Sequence, residues 1–76
     1  MPKLPVVSGP EAIRALRRGG FEVDHQTGSH VTLRHPETRR RAVVPHHGGR
    51  DLRPGTLAGV LADAGLSVEE FRRLLK

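Results

Sequence analysis

Apolar residues with helical spacing predict a short helix near the start of the chain. Ser8 followed three residues later by Glu11 is a capping-box pattern, which marks a helix N-terminus. Ala12, Ile13 and Leu16 then fall on one side, as expected of an amphipathic helix. Gly19-Gly20 is predicted to end it.

A strict alternation follows in the stretch FEVDHQ, residues 21–26, and predicts a half-buried strand. Phe21, Val23 and His25 share one face in this interpretation, so His25 is expected to be partly buried and structural. Thr27-Gly28-Ser29 forms the turn after the strand.

The next alternating stretch, HVTLRH at 30–35, predicts a second strand with Val31 and Leu33 on its apolar face. His30, Thr32 and Arg34 therefore share the opposite face, which meets solvent. This placement makes His30 an exposed residue at the start of a strand.

A third strand is predicted in RRRAVVP, after a turn at 36–38, and ends at Pro45. Ala42 and Val44 are expected to point inward, while Arg39, Arg41 and Val43 point outward. The polar loop HHGGRDLR follows this strand.

Two more helices complete the pattern. Pro54-Gly55 leads into a helix whose apolar residues have i, i+3, i+4, i+7 spacing: Leu57, Val60, Leu61 and Ala64. Ser67 and Glu70 repeat the capping box and open a short closing helix, whose apolar stripe is Val68, Phe71, Leu74 and Leu75.

The order helix, three-strand antiparallel meander, helix, short helix predicts an α+β fold with the helices on one sheet face. It is the α-β-β-β-α order of double-stranded-RNA-binding domains. The 76 residues are expected to form a single domain, residues 1–76, with one core and little room for a deep pocket.

Charge and composition narrow the function classes. Thirteen Lys and Arg against eight Asp and Glu give a net charge of +5, which favours nucleic acid or an acidic protein as partner. The chain has two Phe and no Tyr or Trp, which argues against a single-stranded-RNA-binding domain that stacks bases on aromatic side chains. The absence of cysteine excludes disulfides, and no run is long enough to span a membrane, so the chain is expected to be cytoplasmic.

His30 is the sharpest candidate for catalysis, because an exposed imidazole can give or take a proton near neutral pH. Beside phosphate-binding arginines it could help the RNA 2′-hydroxyl attack phosphorus or protonate the leaving oxygen. The alternative is an ordinary polar residue that flanks a turn.

The other polar residues each allow two interpretations. The run of three arginines at 39–41 is either a solvated hairpin edge or a phosphate-binding site. Thr56 is either a functional residue or one that only favours the start of a helix. His46 and His47 point in different directions, so a shared metal ion is not expected.

Taken in order, the segments LRRGGFEVDHQTGSHVTLRHP, VVPHHGG and LRPGTLAGVLADAGLSVEEF closely resemble the HicA (YcfA-like) mRNA interferase toxins. The motifs are Gly-Phe after the first helix, Gly-Ser-His opening the second strand, Pro-x-His after the third, and Gly-Thr-Leu at the next helix. The similarity extends from about Ser8 to Phe71.

The resemblance implies a toxin-type endoribonuclease that cleaves mRNA, inhibits translation under stress and needs no metal or other cofactor. Its catalytic histidine falls on His30, and its second histidine falls on His47. Gly28, Ser29 and Thr56 match supporting motif positions. Independently of the resemblance, the overall positive charge makes Arg34, Arg39 and Arg41 candidates for RNA binding.

The resemblance also implies a cognate HicB-like antitoxin, expected to be acidic, that covers the active face. The free chain is expected to be monomeric and its complex with the antitoxin hetero-oligomeric. A non-catalytic RNA-binding module of the same fold is the alternative function. An interaction protein with a protein partner alone is a third possibility.

Overall fold

The computed structural model describes residues 3–76, so the first two residues of the predicted 1–76 domain lie outside the described part. Six elements follow along the chain: α1 (Gly9–Arg18), β1 (Glu22–Thr27), β2 (His30–Arg34), β3 (Arg41–Pro45), α2 (Pro54–Ala64) and α3 (Val68–Leu74). The strands form an antiparallel sheet in the order β1-β2-β3. The predicted α+β fold is confirmed.

Both predicted capping boxes are present. The Ser8 N–H donates to Glu11 Oε1 at 2.9 Å, and the Glu11 N–H donates back to Ser8 Oγ at 3.3 Å. The same exchange at the start of α3 joins Ser67 and Glu70, at 2.9 and 3.1 Å.

These bonds stabilise the charged form of each capping carboxylate. The hydrogen bond from the Ser8 backbone lowers the pKa of Glu11, helped by the Ser8 side chain. The Ser67 backbone, again with the Ser67 side chain, lowers the pKa of Glu70 in the same way.

The core lies between the sheet and the helices. The second and third strands contribute Val31, Leu33, Ala42 and Val44 to it, as predicted. All four apolar residues predicted for α2 are buried, and so are Ala12 and Leu16 of α1.

The closing helix is anchored in this core by Phe71, which is fully buried. Arg18 of α1 donates to the carbonyl oxygens of Leu74 and Lys76 at 2.8 and 3.0 Å. A cation at these carbonyls also interacts favourably with the negative end of the helix dipole. Within residues 3–76 no helix is both long and apolar enough to cross a membrane.

Candidate functional site

His30 lies at a two-residue hairpin turn, where β1 returns as β2. Thr27 and His30 are the last paired residues, and Gly28-Ser29 connect them. Gly28 has φ +58°, the conformation that a type II′ turn needs at its first central position and that favours glycine. The Gln26 side chain donates to the Gly28 carbonyl at 3.1 Å and braces the turn. The Gly-Ser-His motif therefore holds an exposed imidazole on a tight turn.

The Pro-x-His motif meets this turn across the next strand pair. His30 is the register partner of Pro45 in the β2–β3 ladder. Proline has no N–H, and the next residue, His46, donates its backbone N–H to the Ser29 carbonyl instead. Two motifs that are separate in sequence thus lie side by side.

His46 and His47 diverge after this contact, as predicted. His46 is half-buried and lines a groove beside α1 with Ile13 and Val23. His47 is exposed and lines a different cleft, beside the start of α2. Within residues 3–76 no three His, Asp or Glu side chains come together in a way that could hold a metal ion.

The open sheet face carries three cross-strand rows, each with its middle residue on β2. They are Thr27–His30–Pro45, His25–Thr32–Val43 and Glu22–Arg34–Arg41. His30, Thr32 and Arg34 therefore share this face, as predicted.

The exposure expected for Thr32 is wrong. Its side chain is buried although the face is open, because it lies on the central strand between the larger His25 and Val43 side chains. Thr32 spaces His30 from Arg34 and offers little surface to a ligand.

The parity predicted for the first strand holds at Glu22 and Val23 but is wrong from His25 onwards. The register shifts between Val23 and His25, which leaves Asp24 as the extra residue of a β-bulge. The bulge turns His25 to the open face beside Thr32, away from the Val23 face. His25 is exposed, its side chain 56% accessible, and its Nδ1 lies 3.0 Å from Asp24 Oδ2. It is not the partly buried residue that strict alternation predicted.

The three consecutive arginines separate into three environments. Arg39 lies in the turn before β3, at φ +63°, and so is not the outward strand residue that was predicted. The Arg40 side chain lies against Gly65 at the C-terminal end of α2. Arg41 is exposed on the open face, directly opposite Arg34. Of the three, Arg41 is therefore the one that lies within a strand of the sheet.

Arg34 and Arg39 line one cleft of about 370 Å³ together with Glu22 and Asp24. Two guanidinium groups therefore face two carboxylates, and the local charge is close to balanced. An RNA phosphate that binds Arg34 and Arg39, as predicted, would have to compete with these two carboxylates for the guanidinium groups.

A second cleft of about 420 Å³ lies between the end of β3 and the start of α2. His47 and Thr56, the two motif residues, line it together, and Arg50 and Arg53 join them. Thr56 lies in the first turn of α2 and is not its N-cap, which is Arg53.

Sequence reasoning missed Arg50 and Arg53, which belong to a loop that it described only as polar. The available signal in the sequence was that the two arginines stand three residues apart directly before the start of a helix. Only the structure shows that both side chains line one cleft with His47 and Thr56.

His35 is a further residue that sequence reasoning did not assign. Its Nδ1 accepts the backbone N–H groups of Glu37 and Thr38, each at 3.2 Å, and its ring packs edge-on against Phe21. It is a structural histidine that shapes the turn before β3.

A family model described as the HicA toxin of bacterial toxin–antitoxin systems matches residues 9–66. No curated protein matches the chain. The matched range includes the sheet, α1, α2 and both histidine motifs, and it stops before α3. The chain therefore belongs to the HicA toxin family of bacterial toxin–antitoxin systems.

Proposed function

We propose that this toxin is an endoribonuclease that cleaves mRNA in the cytoplasm, without a metal ion, and thereby inhibits translation. The observation that carries the proposal is the exposed imidazole of His30 on a braced hairpin turn, beside the second histidine motif. The turn restrains the backbone of His30 before substrate binds, as proton transfer in a transition state requires.

The reaction that fits these groups is transesterification at phosphorus. A base removes the proton of the 2′-hydroxyl, the 2′-oxygen attacks the adjacent phosphorus, and the P–O5′ bond breaks as the leaving oxygen takes up a proton. The products are a 2′,3′-cyclic phosphate and a 5′-hydroxyl. His30 performs one proton transfer, and His47 or a water molecule performs the other.

Arg34 and Arg41 support substrate binding on the face that carries His30. They are register partners on adjacent strands, where like charges directly opposite one another destabilise a sheet, and Glu22, the partner of Arg34 on β1, offsets part of this repulsion. A bound phosphate between or beside them would relieve this repulsion and would accept hydrogen bonds from the guanidinium groups. Gly28 and Ser29 shape the His30 turn and have no role in bond breaking.

The cognate antitoxin that the family implies is proposed to be acidic and to cover this face. The formal net charge of +5 favours association with such a partner. In this proposal the free toxin is a monomer and the inhibited complex contains both proteins.

The test is cleavage of a structured mRNA in EDTA by the wild type, His30→Ala and His25→Ala, with the new ends mapped. His25 is a matched control because it is also an exposed histidine on the open face. Loss of general acid–base help lowers the rate by about 10²–10⁴-fold in His30→Ala, while His25→Ala keeps its activity.

Equal cleavage by all three proteins would refute the assignment of His30. If none cuts RNA, either in EDTA or with added Mg²⁺, and all bind it, the chain is a binding module of the same fold. If EDTA abolishes cleavage, the metal-free part of the proposal is wrong.

A further inference from the structure

We propose that the cleft between the end of β3 and the start of α2 is a phosphate-binding subsite for the RNA strand, with Arg50 and Arg53 as its main ligands. This inference rests on the proposed function and adds two residues to it. The subsite takes a phosphodiester next to the one that reacts at His30.

The charge of the cleft favours an anion. Arg50, Arg53 and the ionisable His47 line it against one carboxylate, that of Asp51. The cleft around Arg34 and Arg39 differs, since two carboxylates balance its two guanidinium groups. An incoming phosphate therefore meets less competition beside Arg50 and Arg53.

The two guanidinium groups are free to bind. Across residues 3–76, neither the Arg50 nor the Arg53 side chain makes an ion pair or a hydrogen bond to another residue. Arginine's planar donor fork matches two oxygens of one phosphate, and the Thr56 hydroxyl in the same cleft can donate a further bond.

The backbone that carries these cations is tied down. The Arg50 N–H donates to the His47 carbonyl at 3.2 Å, and the Leu52 N–H donates to the Val7 carbonyl at 2.8 Å. Asp51 pairs with Ser8 in an isolated bridge. A loop held in this way loses less conformational entropy when it binds a ligand.

Pro45 connects the cleft to the proposed reaction site. It lines the cleft and is also the register partner of His30. In this proposal a strand of RNA with one phosphate at His30 extends past Pro45 and places a neighbouring phosphate in the cleft.

The test measures binding of a single-stranded RNA oligonucleotide at several salt concentrations, in a His30→Ala background that leaves the RNA intact. The variant is Arg50→Gln/Arg53→Gln. The control is Arg72→Gln/Arg73→Gln on α3, which also removes two exposed arginines and lowers the formal net charge from +5 to +3.

We expect the cleft variant to bind RNA at least about tenfold more weakly than the control, because the loss of one charge-assisted hydrogen bond lowers affinity by about that factor. Its slope of log affinity against log salt becomes shallower by about 0.7 for each phosphate that the protein no longer neutralises. Arg50→Lys/Arg53→Lys keeps the slope but binds more weakly, because the donor fork is gone.

Equal affinity and slope in the cleft variant and the control would overturn the subsite. Undiminished RNA binding with abolished antitoxin binding would also overturn it and would assign the cations to the protein partner. These results differ from failure of the proposed function itself, in which the wild type does not cut RNA. Both arginines are exposed, and far-UV circular dichroism checks that each variant is folded.

Discussion

His30 and Pro45 lie directly opposite each other across β2 and β3, at the end of the sheet where both histidine motifs meet. The pairing continues one residue further, through the His46 N–H and the Ser29 carbonyl. The start of α1 packs closely on this point, since a methyl group added at Gly9 would collide with the Pro45 carbonyl. The proposed reaction site is therefore built on three elements that support one another.

The turn before His30 should depend on glycine at position 28. Gly28→Ala forces a side chain into a left-handed conformation, which costs about 1–2 kcal/mol even though the space around it is empty. Gly59→Ala is the matched control: it lies inside α2 with open space around it, and it should stabilise the protein by about 1 kcal/mol. Chemical denaturation measures both. A neutral Gly28→Ala would mean that the turn adopts another conformation at no cost.

Arg39 occupies a strained turn position that glycine would suit better. Arg39→Gly should raise the stability by about 1 kcal/mol, while Arg39→Ala keeps the strain and removes the same charge. If the guanidinium group binds RNA, both variants weaken binding equally despite their different stabilities. Thermal unfolding and RNA titration distinguish these effects. Unchanged RNA affinity in both variants would remove Arg39 from the binding surface.

The two capping carboxylates should make stability fall in acid. Glu11 and Glu70 have lowered pKa values when folded, so their stabilising effect is complete above the ordinary value of 4.5 and is lost as the pH falls through the lower folded values. Glutamine still accepts the capping hydrogen bond but does not titrate in this range. The double variant Glu11→Gln/Glu70→Gln should therefore show a weaker loss of stability below pH 4.5. Denaturation curves at a series of pH values test this, and identical acid slopes would contradict it.

The closing helix should be essential to the fold, although the family match ends at residue 66. Phe71 is fully buried, and Phe71→Ala should destabilise the protein by about 3–5 kcal/mol, a large share of the stability of a small domain. Val43→Ala, at a position 41% exposed, is the control and should cost much less. Because the chain has no Trp or Tyr, far-UV circular dichroism follows unfolding. A small effect at Phe71 would mean that α3 is dispensable.

Local pattern was enough to predict the order of elements, both capping boxes and most of the core. Capping residues, helical periodicity and alternation act over a few neighbouring positions, and here they agree with the tertiary packing. The alternation along the second and third strands alone predicted that Ala42 and Val44 face inward and that His30 faces solvent. The expected roles of His30 and His47 came from resemblance to a family, and they stay predictions.

Tertiary structure decided what local pattern leaves open. The bulge at Asp24 reverses the parity of β1 from His25 onwards, because register depends on the partner strand and not on the strand's own residues alone. Thr32 is buried by its cross-strand neighbours, and the arginine run divides among a turn, a helix end and the open face. Arg50, Arg53, His47 and Thr56 share a cleft because the loop after β3 is tied to residues near the start of the chain. Such long-range contacts leave no periodic trace in the sequence, so only the folded chain shows which charged groups lie together.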